Sequence, residues 1–396
     1  MNICFITDNI FSLGGVQRVV SVLSNELSKN YNVDILCVSN RNKIDRKIYN
    51  LNERINVEID TNLFQKNFFE RVTGKLGRVL NENSNLFNNK KMIKILTEFY
   101  FPRSIREKFI MKLNSKNYDV IIGVEGIFSI LLAIISNDLS AKTIGWQHNS
   151  FDAYFKTKKK YHWKQDKLFE YYLKNLNEYV VLTDYDKKVI DKKFKINSKR
   201  IYNPLSFNSS KKSKLNNKTI LFVGRLVEEQ KGLDLLIKAF NIVANKNKEW
   251  SLKIVGDGPD KKKLIKMINE YNLNDRVLLE EFTKNIKEHY LNSTIFVSSS
   301  RWEGFGLVLT EAMECGLPVV SFENSGPKEI INKNNINGIL VKKEDFESLA
   351  EKIINLIENK NDISKFSNES IKRARDYSLD NIVKIWNEVL DKIGVY

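Results

Sequence analysis

The chain has 396 residues, with 42% hydrophobic and 28% charged residues and only 5 prolines, so it is neither a peptide, a disulfide scaffold nor a disordered polymer. At about 150 residues per domain it should hold two or more domains. The net charge of +16 lies mostly in residues 65–118, with 12 basic and 4 acidic side chains, and residues 151–200, with 14 and 7. From Ile201 onward the charge is nearly balanced, so the excess marks a surface of the first half and points to an anionic partner.

In chain order, the pattern opens with a short apolar strand, Asn2–Thr7, a glycine-containing turn and an amphipathic helix from about Val16 to Leu27. Strands follow at Val33–Val38 and Val57–Ile59, then a long basic helical stretch from about Phe68 to Leu113. Further strands are expected at Val120–Val124, Thr143–Trp146 and Tyr179–Leu182. Residues 204–217, polar and without apolar period, read as a linker between an N-terminal domain, 1–203, and a C-terminal domain, 218–377. There the alternation restarts, with strands at Thr219–Val223, Ser251–Val255, Val277–Leu279, Ile295–Val297, Pro318–Ser321 and Gly338–Val341. Helices are expected near Lys231, Asp260, Lys284 and Gly306. Residues 378–396 read as a final helix able to cross back to the first domain, with Ser378 as its N-cap. This is an α/β chain of two doubly wound, Rossmann-like domains.

Cys4, Cys37 and Cys315 are odd in number and far apart, which implies a reducing compartment. The first residues lack a basic leader, and the longest apolar run, Gly126 to Ser136, is short of the roughly 20 residues of a spanning helix, so neither a leader nor a membrane span is expected.

The most informative motif is SSSRWEGFGLVLTEAMECGLPVV, Ser298–Val320. Glu303 lies in a loop after a strand, and Glu311 about one and a half turns into the next helix. This aims Glu303 and the helix N-terminus at the crevice beyond the strand's carboxyl end, where open α/β sheets bind ligands. Backbone N–H groups at Gly304, Phe305, Gly306 and Leu307 suit a phosphate or sugar oxygen, and carboxylates suit vicinal hydroxyls. In LFVGRLVEEQKG, Arg225 and Lys231 lie six residues apart on one loop and can straddle a diphosphate. Gly14–Gly15 opens the first helix without the dinucleotide fingerprint, and Gly256–Pro259 reads as a tight turn. His148, in WQHNS, sits at a strand end and is as well explained by a structural role as by a catalytic one. Asp184 and Asp186, an Asp-x-Asp, are better explained as caps of a following helix than as metal ligands, and the three histidines form no zinc pattern.

Together GGVQRV, VGRL with Lys231 and Gly232, IVGDGP, the Glu303/Glu311 motif and SGPKEII followed by NGILV resemble the GT-B glycosyltransferases of glycosyltransferase family 4. The resemblance implies two domains facing across a cleft and a retaining transfer from a nucleotide sugar without a metal cofactor. It implies that Arg225 and Lys231 hold the diphosphate, that Glu311 binds the ribose, and that Glu303 with Gly304–Leu307 holds the donor sugar. Gly15 would approach the phosphates and His148 the anomeric carbon and acceptor. Glu281 stands where the family has a glycine beside the base. The expected reaction moves a hexose or N-acetylhexosamine, from a donor taken to be UDP-linked, to a saccharide or polyprenyl-linked acceptor in surface polysaccharide synthesis. The expected setting is cytoplasmic, on the inner, anionic face of a membrane. A GT-B UDP-N-acetylhexosamine 2-epimerase is the enzymatic alternative; a nucleic-acid-binding protein, suggested by charge alone, leaves the two glutamates unused.

Overall fold

A computed structural model describes residues 1–394. The chain divides into two compact units, Met1–Pro204 with the segment from Leu379, and Leu205–Ser378.

In the first unit, seven strands form one parallel sheet in the order β3-β2-β1-β4-β5-β6-β7. These are β1 (Asn2–Thr7), β2 (Asn32–Cys37), β3 (Asn56–Ile59), β4 (Val120–Val124), β5 (Lys142–Trp146), β6 (Glu178–Val181) and β7 (Lys199–Arg200). The central strands β1 and β4 are almost wholly buried, as expected of near-continuous apolar runs covered on both faces. The two-residue strand β7 has no sequence signal of its own, since Lys199 and Arg200 join the sheet through backbone pairing with β6 alone.

The basic stretch 68–113 is not one helix but three, Phe68–Ser84, Ile93–Tyr100 and Arg103–Asn114. Asn85 ends the first in the left-handed conformation, at φ 61°, and Pro102 precedes the third, where its missing N–H costs nothing. The first is opened by a capping box between Asn67 and Glu70.

The C-terminal helix, Leu379–Ile393, belongs to the first unit. Its apolar face is buried through Ile382, Trp386, Val389 and Leu390, and the Trp386 ring meets Trp146 at the end of β5 edge-on, with centroids 4.9 Å apart.

The second unit holds six parallel strands in the order β10-β9-β8-β11-β12-β13. They are β8 (Thr219–Val223), β9 (Ser251–Val255), β10 (Val277–Glu280), β11 (Ile295–Ser298), β12 (Val319–Phe322) and β13 (Ile339–Val341). In both units the strand order reverses between the first strand and the strand beside it, the switch point at which doubly wound sheets bind ligands.

The segment read as a linker is bound to the second unit. Ser209 N–H donates to Glu314 at 2.8 Å, Lys212 pairs with the same carboxylate at 3.0 Å, and Ser213 N–H donates to the Cys315 carbonyl. Its polar residues serve as hydrogen-bonding partners of the helix Leu307–Glu314, which a period count cannot distinguish from solvated linker. All three cysteines are buried free thiols. Among the described residues no helix is long and apolar enough to cross a membrane.

Candidate active site

In the second unit the predicted residues converge at the carboxyl ends of β8 and β11, adjacent strands in the sheet. Lys231 does not open the long helix expected there. It closes a one-turn helix, Glu228–Lys231, and the long helix, Leu233–Lys246, starts only after Gly232. Gly232 has φ 60°, and a Cβ on it would lie 2.1 Å from the Ser299 carbonyl oxygen, so no other residue fits. The turn brings Lys231 Nζ to 2.7 Å from Glu303 Oε2, with the two side chains 13% and 17% exposed. Lys231 and Glu303 thus form a mostly buried ion pair, joining a residue assigned to the diphosphate with one assigned to the sugar.

Arg301, which no sequence signal singled out, holds this turn. Its guanidinium forks onto Asp234 at 2.8 and 3.0 Å and donates to the Glu228 carbonyl at 2.9 Å, while its N–H donates to the Gln230 carbonyl. The paired charges hold the Asp234 carboxyl below its ordinary range, chiefly through the Arg301 hydrogen bonds opposing its burial. Ser299 Oγ donates to the Lys231 carbonyl at 2.8 Å. The β11 loop thus positions the β8 loop before any ligand arrives.

Arg225 is exposed, and its guanidinium has no partner among the described residues, so it can meet an anion. Its loop rests on the GDGP turn: Leu226 N–H donates to the Asp257 carbonyl at 2.9 Å and Asp260 N–H to the Leu226 carbonyl at 3.1 Å. The motif read as a simple turn is the support of the arginine loop.

Gly304, Phe305 and Gly306 are buried, and Gly306, at φ 105°, precedes the helix that starts at Leu307. No side chain caps that helix, which leaves first-turn N–H groups, Leu307 among them, directed out of its N-terminus. Ser325, from the SGP segment, donates to the Glu303 carbonyl at 3.3 Å. Glu311 differs from expectation. It is fully buried, and its carboxylate accepts from Ser206 Oγ at 2.7 Å and Tyr290 OH at 2.9 Å. At the far edge Glu281 pairs with Lys261 at 2.9 Å.

In the first unit, Gly15 is the first residue of the helix Gly15–Leu27, again uncapped by any side chain, at the end of β1. His148 follows β5, and its ring lies on Trp146 with centroids 4.2 Å apart. Burial pushes its pKa down to about 3, and its Nε2 is buried without a partner among the described residues, so the imidazole is neutral and can accept. The loop is fixed on both sides, by Tyr179 OH donating to Gln147 at 2.8 Å and by Ser150 capping the next helix.

Two further acids in this unit escaped the sequence reading. Glu125, at the end of β4, has φ 69°, a strained conformation for a residue with a Cβ. Burial, then the charge of Asp8 beyond β1, raise its pKa to about 7. Asp8, Glu125 and His148 therefore follow three adjacent strands, β1, β4 and β5, at the carboxyl end of the sheet. The sign that could have been read is Glu125–Gly126 directly after a buried strand. Asp184 and Asp186 are structural: Asp186 is buried and accepts from Phe151 N–H, and Asp184 pairs with Arg200 at 3.0 Å. Among the described residues no group of three His, Cys, Asp or Glu is placed to hold a metal ion.

Residues 206–376 match the family model described as Glycosyl transferases group 1. An uncharacterized glycosyltransferase of Methanocaldococcus jannaschii is 30% identical over 65% of this chain and 72% of its own length. The chain belongs to the group 1 glycosyltransferases. An uncharacterized glycosyltransferase of Haemophilus influenzae is 29% identical over 98% of this chain and 99% of its own. The poly(ribitol-phosphate) alpha-N-acetylglucosaminyltransferase of Staphylococcus aureus is 27% identical over 87% of this chain and 69% of its own. The fold of this glycosyltransferase is that of GT-B enzymes: a TarM mutant of S. aureus, solved with Fondaparinux, alpha-GlcNAc-glycerol and UDP, superposes with a TM-score of 0.78 at 18% identity, covering 98% of this chain and 99% of that one.

Proposed function

We propose that this glycosyltransferase, of glycosyltransferase family 4, transfers a hexose or N-acetylhexosamine from a UDP-sugar to a saccharide or lipid-linked acceptor of a surface polymer, with retention at the anomeric carbon. The observation that carries the reading is the Lys231–Glu303 pair beside the free Arg225 at the adjacent ends of β8 and β11. The UDP in the TarM structure and the polymer named for the S. aureus relative support the donor and acceptor classes.

A UDP-sugar brings a diphosphate whose negative charge grows as the bond to the anomeric carbon breaks. Arg225 can fork onto one phosphate and Lys231 reach the other, adding to the helix N-terminus at Leu307. These donors are already in place, the arrangement that stabilises developing charge with least reorganisation. Glu303, held by Lys231, offers its remaining lone pairs to sugar hydroxyls with the backbone of Gly304–Leu307. Glu311 would reach the ribose only by exchanging the Ser206 or Tyr290 hydroxyl for a ribose hydroxyl.

Glu303, held by Lys231, and Glu311, covered by Ser206 and Tyr290, are read as ligands of the donor rather than as nucleophiles. The acceptor oxygen then enters on the same face as the leaving phosphate, through an oxocarbenium-like state, and that phosphate takes its proton. Asp8, Glu125 and the neutral His148 supply hydrogen-bond acceptors for hydroxyls of the acceptor. Charge stabilisation rests on side chains and backbone, so turnover should persist in EDTA. The acceptor is met at an anionic membrane surface, to which the basic first half is attracted.

The deciding experiment compares UDP, GDP, ADP and dTDP by thermal shift, then follows UDP-sugar consumption with and without a saccharide acceptor. A shift with UDP and acceptor-dependent release of UDP support the reading. Conversion of UDP-N-acetylhexosamine without acceptor would favour the epimerase instead, and absence of any nucleotide shift would overturn both.

A further inference from the structure

The helix Phe68–Ser84 is inside out. Its buried residues are Gly74, Gly77 and Asn81, and Asn81 donates to the Lys164 carbonyl at 2.7 Å. A Cβ on Gly77 would lie 2.4 Å from the Phe99 ring, so the helix sits close on its neighbour by having nothing there. Its large apolar side chains point outward: Phe68 is 83% exposed, Phe69 74% and Leu76 60%, with Val72, Val79 and Leu80 exposed as well. On the 3.6-residue period these six fall within an arc of about 120°, with Arg71 and Lys75 along one margin. Folding has not covered a contiguous apolar stripe, and such stripes mark contact with another phase or partner.

We propose that this helix lies in the interface of an anionic lipid bilayer, the apolar arc inserted among the acyl chains and the basic margin at the headgroups. This rests on the membrane-surface reading above and names the element that performs it. Charge selects the occupant. Residues 65–118 carry three times as many basic as acidic side chains, Arg71 and Lys75 are exposed at the stripe, and the neighbouring helix adds exposed Lys94 just after Lys90 and Lys91. A second copy of the chain would bring the same positive charge against itself, whereas an anionic leaflet complements it. The two acids of the helix do not offset this: Glu70 is tied up by the Asn67 N–H and the Ser104 hydroxyl, and Glu82 is the other. Apolar insertion and a basic margin supply the two signals that stable surface binding takes.

The test is flotation of the full chain with vesicles of phosphatidylcholine alone or mixed with phosphatidylglycerol in roughly equal parts. The wild-type chain should float with the mixed vesicles and on the order of tenfold less with the neutral ones. Phe69→Ser with Leu76→Ser, both at exposed positions, should lower the bound fraction about tenfold, and Arg71→Gln with Lys75→Gln should weaken binding and flatten its salt dependence. All variants should keep the wild-type thermal shift with UDP. Equal flotation of the serine variant, absence of wild-type flotation, or a wild-type dimer in light scattering that the serine variant splits would each overturn the proposal. Failure of the UDP shift in the wild-type chain would instead strike the donor reading and leave the flotation result standing.

Discussion

Lys231 and Glu303 hold each other 2.7 Å apart with both side chains mostly covered, so the pair is worth more than a surface ion pair and less than its Coulomb energy. Lys231→Ala or Glu303→Ala leaves an unpartnered, partly buried charge at a cost of about 1–2 kcal/mol, which the fold should survive. The catalytic loss should be larger. Removing one pre-placed donor to developing charge costs a factor of about 10²–10³ in turnover, so kcat/KM for Lys231→Ala should fall by at least that much, and for Glu303→Ala, which removes the partner that places Lys231 and an acceptor for sugar hydroxyls, comparably, while the circular dichroism spectrum is retained. Near wild-type rates in either would remove the pair from the chemistry. Glu125 makes a prediction of a different kind. Its folded pKa of about 7 lies above the ordinary carboxyl value of 4.5, so between those two pH values the folded chain holds a proton that the unfolded chain has released. Stability should therefore decline as pH rises from about 4.5 to about 7, by roughly 3 kcal/mol from this group. Glu125→Gln, neutral throughout, should melt higher than wild type at pH 8 and show that advantage vanishing toward pH 4. His148 acts in the other window: its depressed pKa means stability lost as pH falls below about 6.5 toward about 3.

At the scale of elements, the one-turn helix Glu228–Lys231 is too short to be stable by its own hydrogen bonds and depends on what braces it. Arg301 is that brace, through Asp234, the Glu228 carbonyl and its own N–H on Gln230. Arg301→Ala should lower kcat/KM about tenfold to a hundredfold with a weaker UDP-induced thermal shift, because Lys231 loses its placement rather than its charge. Arg301→Lys should recover little of this, since a lysine cannot reproduce the two-pronged bond to Asp234. These dependences explain what the sequence disclosed. Strand positions were legible because β1, β4 and β8 are apolar runs bounded by turn residues, and the long helices because their apolar residues recur on one face. The helix breaks at Asn85 and Pro102 were not read, although the Asn-rich run before Lys90 and Pro102 itself are break signals. Glu303 and Lys231 were visible as motif residues, but their pairing was not, because it is made by a turn that Gly232 and the Ser299 carbonyl impose from distant parts of the chain. The covering of Glu311 by Ser206 and Tyr290, from segments 105 and 21 residues away, has the same origin.

For the whole molecule, the chain's last helix is part of its first unit, so that unit is closed only when Leu379–Ile393, well beyond Pro204 in the chain, has been made. Its contribution is concentrated in Trp386, fully buried and set edge-on against Trp146, against which the His148 ring also lies. Trp386→Ala removes one of the largest buried side chains and should cost about 3–5 kcal/mol, read as a lower midpoint in urea denaturation. The same substitution leaves a void beneath β5 and loosens the loop that carries His148, so transfer to the acceptor should fall further than stability at working temperature requires. UDP affinity should stay within about threefold of wild type, because Arg225, Lys231 and the Glu303 loop lie in the other unit. Loss of transfer with UDP binding retained would place the acceptor's requirements in the first unit. Loss of both in parallel would mean that the C-terminal helix supports the molecule as a whole and that His148 has no separate part in the reaction.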